Sequence, residues 1–76
     1  MVSAYLMIKT AAGKSADLLT AIEEQEGVHE AHIVAGQYDI IAEVGGENVY
    51  DVVHAASTDV RNLDGVVDTR TYICLD

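Results

Sequence analysis

Residues 28–44 read Val-His-Glu-Ala-His-Ile-Val-Ala-Gly-Gln-Tyr-Asp-Ile-Ile-Ala-Glu-Val, and their pattern decides the architecture. Val28 to Ala35 has the β-branched and apolar content of a strand, and Gly36-Gln37 breaks it. Tyr38 to Val44 is a further strand, and a short glycine-bearing break between two such runs predicts a hairpin. Gly45-Gly46 ends the second run.

Upstream of the hairpin, Val2 to Thr10 alternates and predicts a strand with Ala4, Leu6 and Ile8 on one face and Tyr5, Met7 and Lys9 on the other. Ala11 to Lys14 forms a turn, and Ser15 is placed to cap a helix in which Leu18, Leu19 and Ile22 recur at helical spacing. Gly27 stops that helix. Downstream, Glu47 or Asn48 begins a longer helix with the stripe Val49, Val52, Val53, Ala56, Val60 and Leu63, ended by Gly65. Val66 to Leu75 is the last strand.

The order is βαββαβ in one domain, residues 1–76, and the halves echo one another. Gln25-Glu26-Gly27-Val28 and Leu63-Asp64-Gly65-Val66 both join a helix to a strand. Two such halves make an α+β, ferredoxin-like sandwich: a four-stranded antiparallel sheet with both helices on one face. The other face is bare in a monomer, and Tyr5, Met7, Ile33, Ile41 and Tyr72 supply apolar groups for it, which predicts dimerisation through the sheet. A chain of 76 residues with one cysteine, Cys74, has no disulfide to compensate for a small core, so self-association is the expected staple.

Thirteen acidic residues stand against four basic ones, a net charge of −9. That excludes direct nucleic-acid binding, which needs Lys and Arg against phosphate. It also suits a salt-adapted source, because molar salt shortens the Debye length to about 3 Å and relieves self-repulsion; an ordinary soluble acidic domain is the plainer alternative. No leader pattern opens the sequence, and no apolar run approaches the roughly 20 residues of a membrane span. With one free thiol, a cytoplasmic location is expected.

Candidate chemistry is sparse. Ala12-Gly13-Lys14-Ser15 ends like a phosphate-binding loop, but Ile8 stands where that loop needs its first glycine, so a turn is the better reading. His29 and His32 are three apart, on opposite faces of a regular strand, and cannot share a metal ion; His54 lies on the second helix. Ser3, Ser15, Ser57 and Cys74 sit in no nucleophile motif, so neither an enzyme nor a cofactor is expected. Gly36-Gln37-Tyr38-Asp39 is the most informative segment. Free N–H groups around the glycine suit a carboxylate and Asp39 suits an ammonium, the two ends of a zwitterion, although the same residues also make a plain hairpin turn.

Ala35-Gly36-Gln37-Tyr38-Asp39-Ile40-Ile41-Ala42-Glu43-Val44 resembles the signature of the Lrp/AsnC effector domain, also called the RAM domain. Leu63 to Leu75, with Gly65-Val66-Val67-Asp68-Thr69-Arg70-Thr71, resembles that domain's last turn and strand, and Ala4 to Thr10 fits its first. The resemblance covers essentially the whole chain. It implies dimers formed through the sheets, rings of dimers, and small effectors, usually amino acids, held between dimers near the hairpin turn. It places Gly36, Gln37, Tyr38 and Asp39 at the effector site, with Thr69 and Thr71 contributing from the last strand. Full-length family members carry an N-terminal helix-turn-helix, whereas this sequence opens at the first strand. The expectation is therefore a stand-alone effector-binding module, acting on transcription or metabolism indirectly, in company with full-length relatives or another partner. An oligomerisation adaptor without a ligand and a small dimeric enzyme using a histidine are the alternatives.

Overall fold

The structure is a computed structural model that describes the backbone of residues 1–76 and every side chain except those of residues 55–57. Ala56 of the predicted stripe and Ser57 of the candidate nucleophiles therefore lie outside the described side chains. The elements follow the predicted order: β1 Val2–Thr10, α1 Ser15–Glu23, β2 Val28–Ile33, β3 Ile40–Gly46, α2 Val49–His54 and β4 Val66–Ile73. They form one antiparallel sheet in the order β2-β3-β1-β4, with the two halves interleaved at its centre.

Strand alternation sorts the two faces. Ala4, Leu6 and Ile8 of β1 pair across the sheet with Val44, Ala42 and Ile40 of β3, and all six are buried. Leu18 and Ile22 of α1 and Val60 close over Leu6, Ile8 and Ile40, while Val52 of α2 packs on Ala4 and Val44. Each fully buried aliphatic side chain contributes about 1.5–3 kcal/mol by leaving water. The core is thus a single layer between helices and sheet.

Several boundaries differ from the sequence reading. Lys14, not Ser15, occupies the helix N-cap, and the Ser15 hydroxyl instead meets Thr10 Oγ1 at 2.8 Å. The second helix is α-helical only to His54 and continues as a wider π-helical segment, Ala55–Val60. Val52 and Val60 of the predicted stripe are buried, but Val49 and Val53 are 51% and 41% exposed. The two echoing turns are the same turn. Gly27 and Gly65 have φ of 91° and 99°, and Val28 and Val66 each donate to the carbonyl three residues back at 3.2 Å.

On the bare face lie Tyr5 and Met7 of β1, Ile41 and Glu43 of β3, and Arg70 and Tyr72 of β4. Ile33 was expected there, but it pairs with Ile40 and so belongs to the helix-bearing side, half exposed at the sheet edge. A bulge between Val28 and Glu30 also overturns the alternation assumed for the histidines. His29 Nε2 lies 2.7 Å from where a Cβ on Gly45 would sit, and Gly45 pairs with Ser3 on the bare face. His32 pairs with Ile41 on that same face.

Candidate functional site

The loop between β2 and β3 is anchored at its base by Asp39. Val34 N–H donates to Asp39 O at 2.8 Å, and Asp39 N–H donates to Ile8 O at 2.9 Å. The Asp39 carboxylate accepts from Thr10 N–H at 2.8 Å and from Thr10 Oγ1 at 3.3 Å, both on Oδ2. These bonds end β2 and delay β3, which is why the strands stop short of the predicted Ala35 and Tyr38.

Above that base the loop presents unmatched donors. Among the described residues nothing in the chain accepts the N–H groups of Ala35, Gly36, Gln37 or Tyr38. Gly36 does not have a positive φ, and a Cβ there would meet no atom within 4 Å. The chain's own packing therefore does not require a glycine, and the space beside its backbone is open.

Beside this loop lies a cavity of about 370 Å³. Val34 to Tyr38 form one wall, and Met7, Ile41 and Tyr72 on the bare sheet face form the other. Arg70 pairs across the strands with Met7. Interaction with the Tyr38 phenol, and with nearby Asp68 and Tyr72, holds the Arg70 guanidinium above its usual range. Lys9 Nζ donates to Gln37 O at 3.3 Å.

The structure brings Gly36, Gln37 and Tyr38 together at the cavity as expected. Asp39 does not line it; its carboxylate is turned to Thr10, in place of the ammonium expected from sequence. Thr69 and Thr71 share a face, but they pair with Ile8 and Leu6 and so stand on the helix-bearing side, away from the cavity within one chain. Met7, Ile41 and Tyr72 were not anticipated as site residues. Alternation already grouped Arg70 with Tyr72; only the register of β4 on β1 shows which face meets the loop.

A second cavity, of about 460 Å³, lies between the end of β3 and α2. It is lined by four carboxylates, Glu26, Glu47, Asp51 and Asp59, and by Tyr50 stacked on His54 with ring centroids 5.8 Å apart. Its size exceeds that of the hairpin cavity, but it offers no unmatched buried donor, and no group of three metal-capable side chains occurs among the described residues. The Ala11–Lys14 turn is closed by Lys14 N–H to Ala11 O at 3.1 Å, which takes up a donor that a phosphate cradle would need. No helix among the described residues is long and apolar enough to cross a membrane.

The βαββαβ order, with both helices on one face of the antiparallel sheet, defines a small ferredoxin-like α+β domain. The chain belongs to the Lrp/AsnC ligand-binding domain family, whose model matches residues 3–76. That family is regulatory rather than enzymatic. An uncharacterized HTH-type transcriptional regulator of Pyrococcus abyssi is 34% identical over 50 residues, 66% of this chain and 33% of that protein. The chain thus spans about a third of the length of that curated relative. A crystal structure from Thermus thermophilus superposes with a TM-score of 0.94 at 28% identity, covering 100% of this chain and 95% of that one. A transcriptional regulator of Neisseria meningitidis, solved as an L-Met complex, shares the fold, with a TM-score of 0.85 at 16% identity over 99% of this chain and 50% of that one.

Proposed function

We propose that this chain is a cytoplasmic small-effector-binding and self-assembly module. Its effector is a molecule of amino-acid size that carries a carboxylate. The observation that supports this most directly is the row of four loop N–H groups, residues 35–38, without an acceptor beside a cavity of about 370 Å³. Unmatched backbone donors beside one space favour an anionic group.

Self-assembly follows from the other wall of the same cavity. Met7, Ile41 and Tyr72 belong both to the cavity and to the bare sheet face, where Tyr5 and Tyr72 are paired and exposed. A second copy laid on that face would roof the pocket, so ligand and assembly become linked equilibria. The same surface is available to full-length relatives. The charge of −9 keeps the module itself off nucleic acid.

Thermal unfolding with and without each common amino acid at millimolar concentration, alongside sedimentation, tests the proposal. A ligand at 100 times its Kd adds about 2.7 kcal/mol, and each kcal/mol moves the midpoint of a domain this small by about 4–8 °C. A selective shift supports the effector reading. A folded, oligomeric protein that responds to no small molecule would leave an assembly adaptor.

A further inference from the structure

We propose that Met7 and Ile41 set the specificity of the hairpin pocket, and that its effector carries an apolar side chain of the methionine or leucine kind. The inference rests on the effector reading and adds to it the half of the ligand that the loop does not hold.

The cavity has two unlike walls. The loop wall offers backbone, with the unmatched N–H groups of residues 35–38. The sheet wall offers side chains. Met7 of β1 and Ile41 of β3 stand directly opposite each other, and Tyr72 lies diagonally beyond Met7, on β4 opposite Tyr5. Val34, just past the end of β2, adds another aliphatic group. Among the described residues no charged side chain lines the cavity; the polar side-chain groups that do are the Gln37 amide and the phenols of Tyr38 and Tyr72.

The charges of this region stand around the cavity rather than in it. On the bare face Arg70 is opposite Met7, Asp68 opposite Lys9, Glu43 opposite both Tyr5 and Glu30, and His32 opposite Ile41. In the loop the Asp39 carboxylate is bonded to Thr10, and the Lys9 ammonium to the Gln37 carbonyl. A ligand held at the loop by its carboxylate therefore lays the rest of itself on Met7 and Ile41. Each methylene buried there strengthens binding roughly fourfold. A polar or charged end in the same place gives up water without a partner on the lining.

Isothermal titration of the full chain tests this with two sets of free amino acids. One is the homologous series alanine, 2-aminobutyrate, norvaline and norleucine. The other sets methionine against glutamine and glutamate, and leucine against asparagine, which are close in size. Affinity is expected to rise roughly fourfold per added methylene along the series, and methionine and leucine to bind at least about tenfold tighter than their polar counterparts. Met7→Gln, similar in shape, then narrows the methionine-to-glutamine ratio at least about threefold, with Ile41→Thr as the second variant should Met7→Gln not fold. A ratio of two ligands on one variant cancels any change in assembly common to both. Val49→Thr, exposed on α2 and outside the cavity, keeps the parent ratio. A flat series, equal or tighter binding of the polar counterparts, or a ratio that neither variant moves overturns the inference and leaves the effector reading standing. Binding confined to amino acids with charged side chains does the same. A folded protein that binds no amino acid at all overturns the two together.

Discussion

The carboxylate of Asp39 and the backbone N–H of Thr10 lie 2.8 Å apart, 29 residues apart in sequence. The bond ties the end of β1 to the start of β3 and, through Thr10 Oγ1 and Ser15, to the first turn of α1. Asp39 is therefore a brace for the hairpin.

Asp39→Ala removes a charge-assisted acceptor from a partly buried N–H, which costs about 1–3 kcal/mol. The melting midpoint is expected to fall by several degrees, with Asp39→Asn falling less. A variant with unchanged midpoint and lost ligand affinity would return this side chain to the pocket.

Glycines 36 and 65 separate pocket from scaffold. Gly36→Ala should leave stability within about 0.5 kcal/mol, since the backbone is not left-handed and the space is open. Gly65→Ala puts a side chain at φ 99° and 3.2 Å from Leu18 Cδ1, and should cost about 1–2 kcal/mol or more. Chemical denaturation of the two variants checks the contrast, and any loss of effector affinity in Gly36→Ala is then a local effect.

Tyr5 faces Glu43 across the strands, and the hydrogen bond to Glu43, reinforced by its charge, raises the Tyr5 phenol above the usual 10. Because the folded state holds this proton more tightly, the stabilisation is complete below the ordinary value and is lost as pH rises through the raised one. Phenolate absorbance should show one tyrosine ionising late, and Glu43→Gln should bring it back toward the others. Late ionisation that survives Glu43→Gln would deny Glu43 the leading role.

Glu30 and Glu43 stand directly opposite each other on β2 and β3. Opposed like charges destabilise a pair of strands by about 0.2–1 kcal/mol. Glu30→Gln should raise the melting midpoint in dilute buffer, and the gain should shrink in molar salt. The parent protein, at net charge −9, should itself be stabilised by added salt. A midpoint indifferent to salt would remove the case for salt adaptation.

Ile8→Ala opens the centre of the core, where Ile8 is fully buried against α1. A loss of about 2–5 kcal/mol is expected, near the whole stability of so small a domain. Circular dichroism of the variant, with and without saturating effector, reads it out.

The element order and the buried faces of β1 and β3 were legible in the sequence. Burial imposes period 2 on a strand and period 3.6 on a helix, and Ala4, Leu6, Ile8 and Leu18, Ile22 carry those periods openly. The matched turns at Gly27 and Gly65 were legible too, because a left-handed backbone selects glycine locally. Gly36-Gln37-Tyr38 was marked as a site by its composition and by its resemblance to the family signature. Tertiary structure alone decided the rest. The bulge before Glu30 turned His29 onto the face of His32, and the register of β4 set Tyr72, not Thr69 or Thr71, beside the hairpin cavity. Each of these depends on pairing between distant segments. A one-residue slip there reverses a side chain's face, and no local propensity records it.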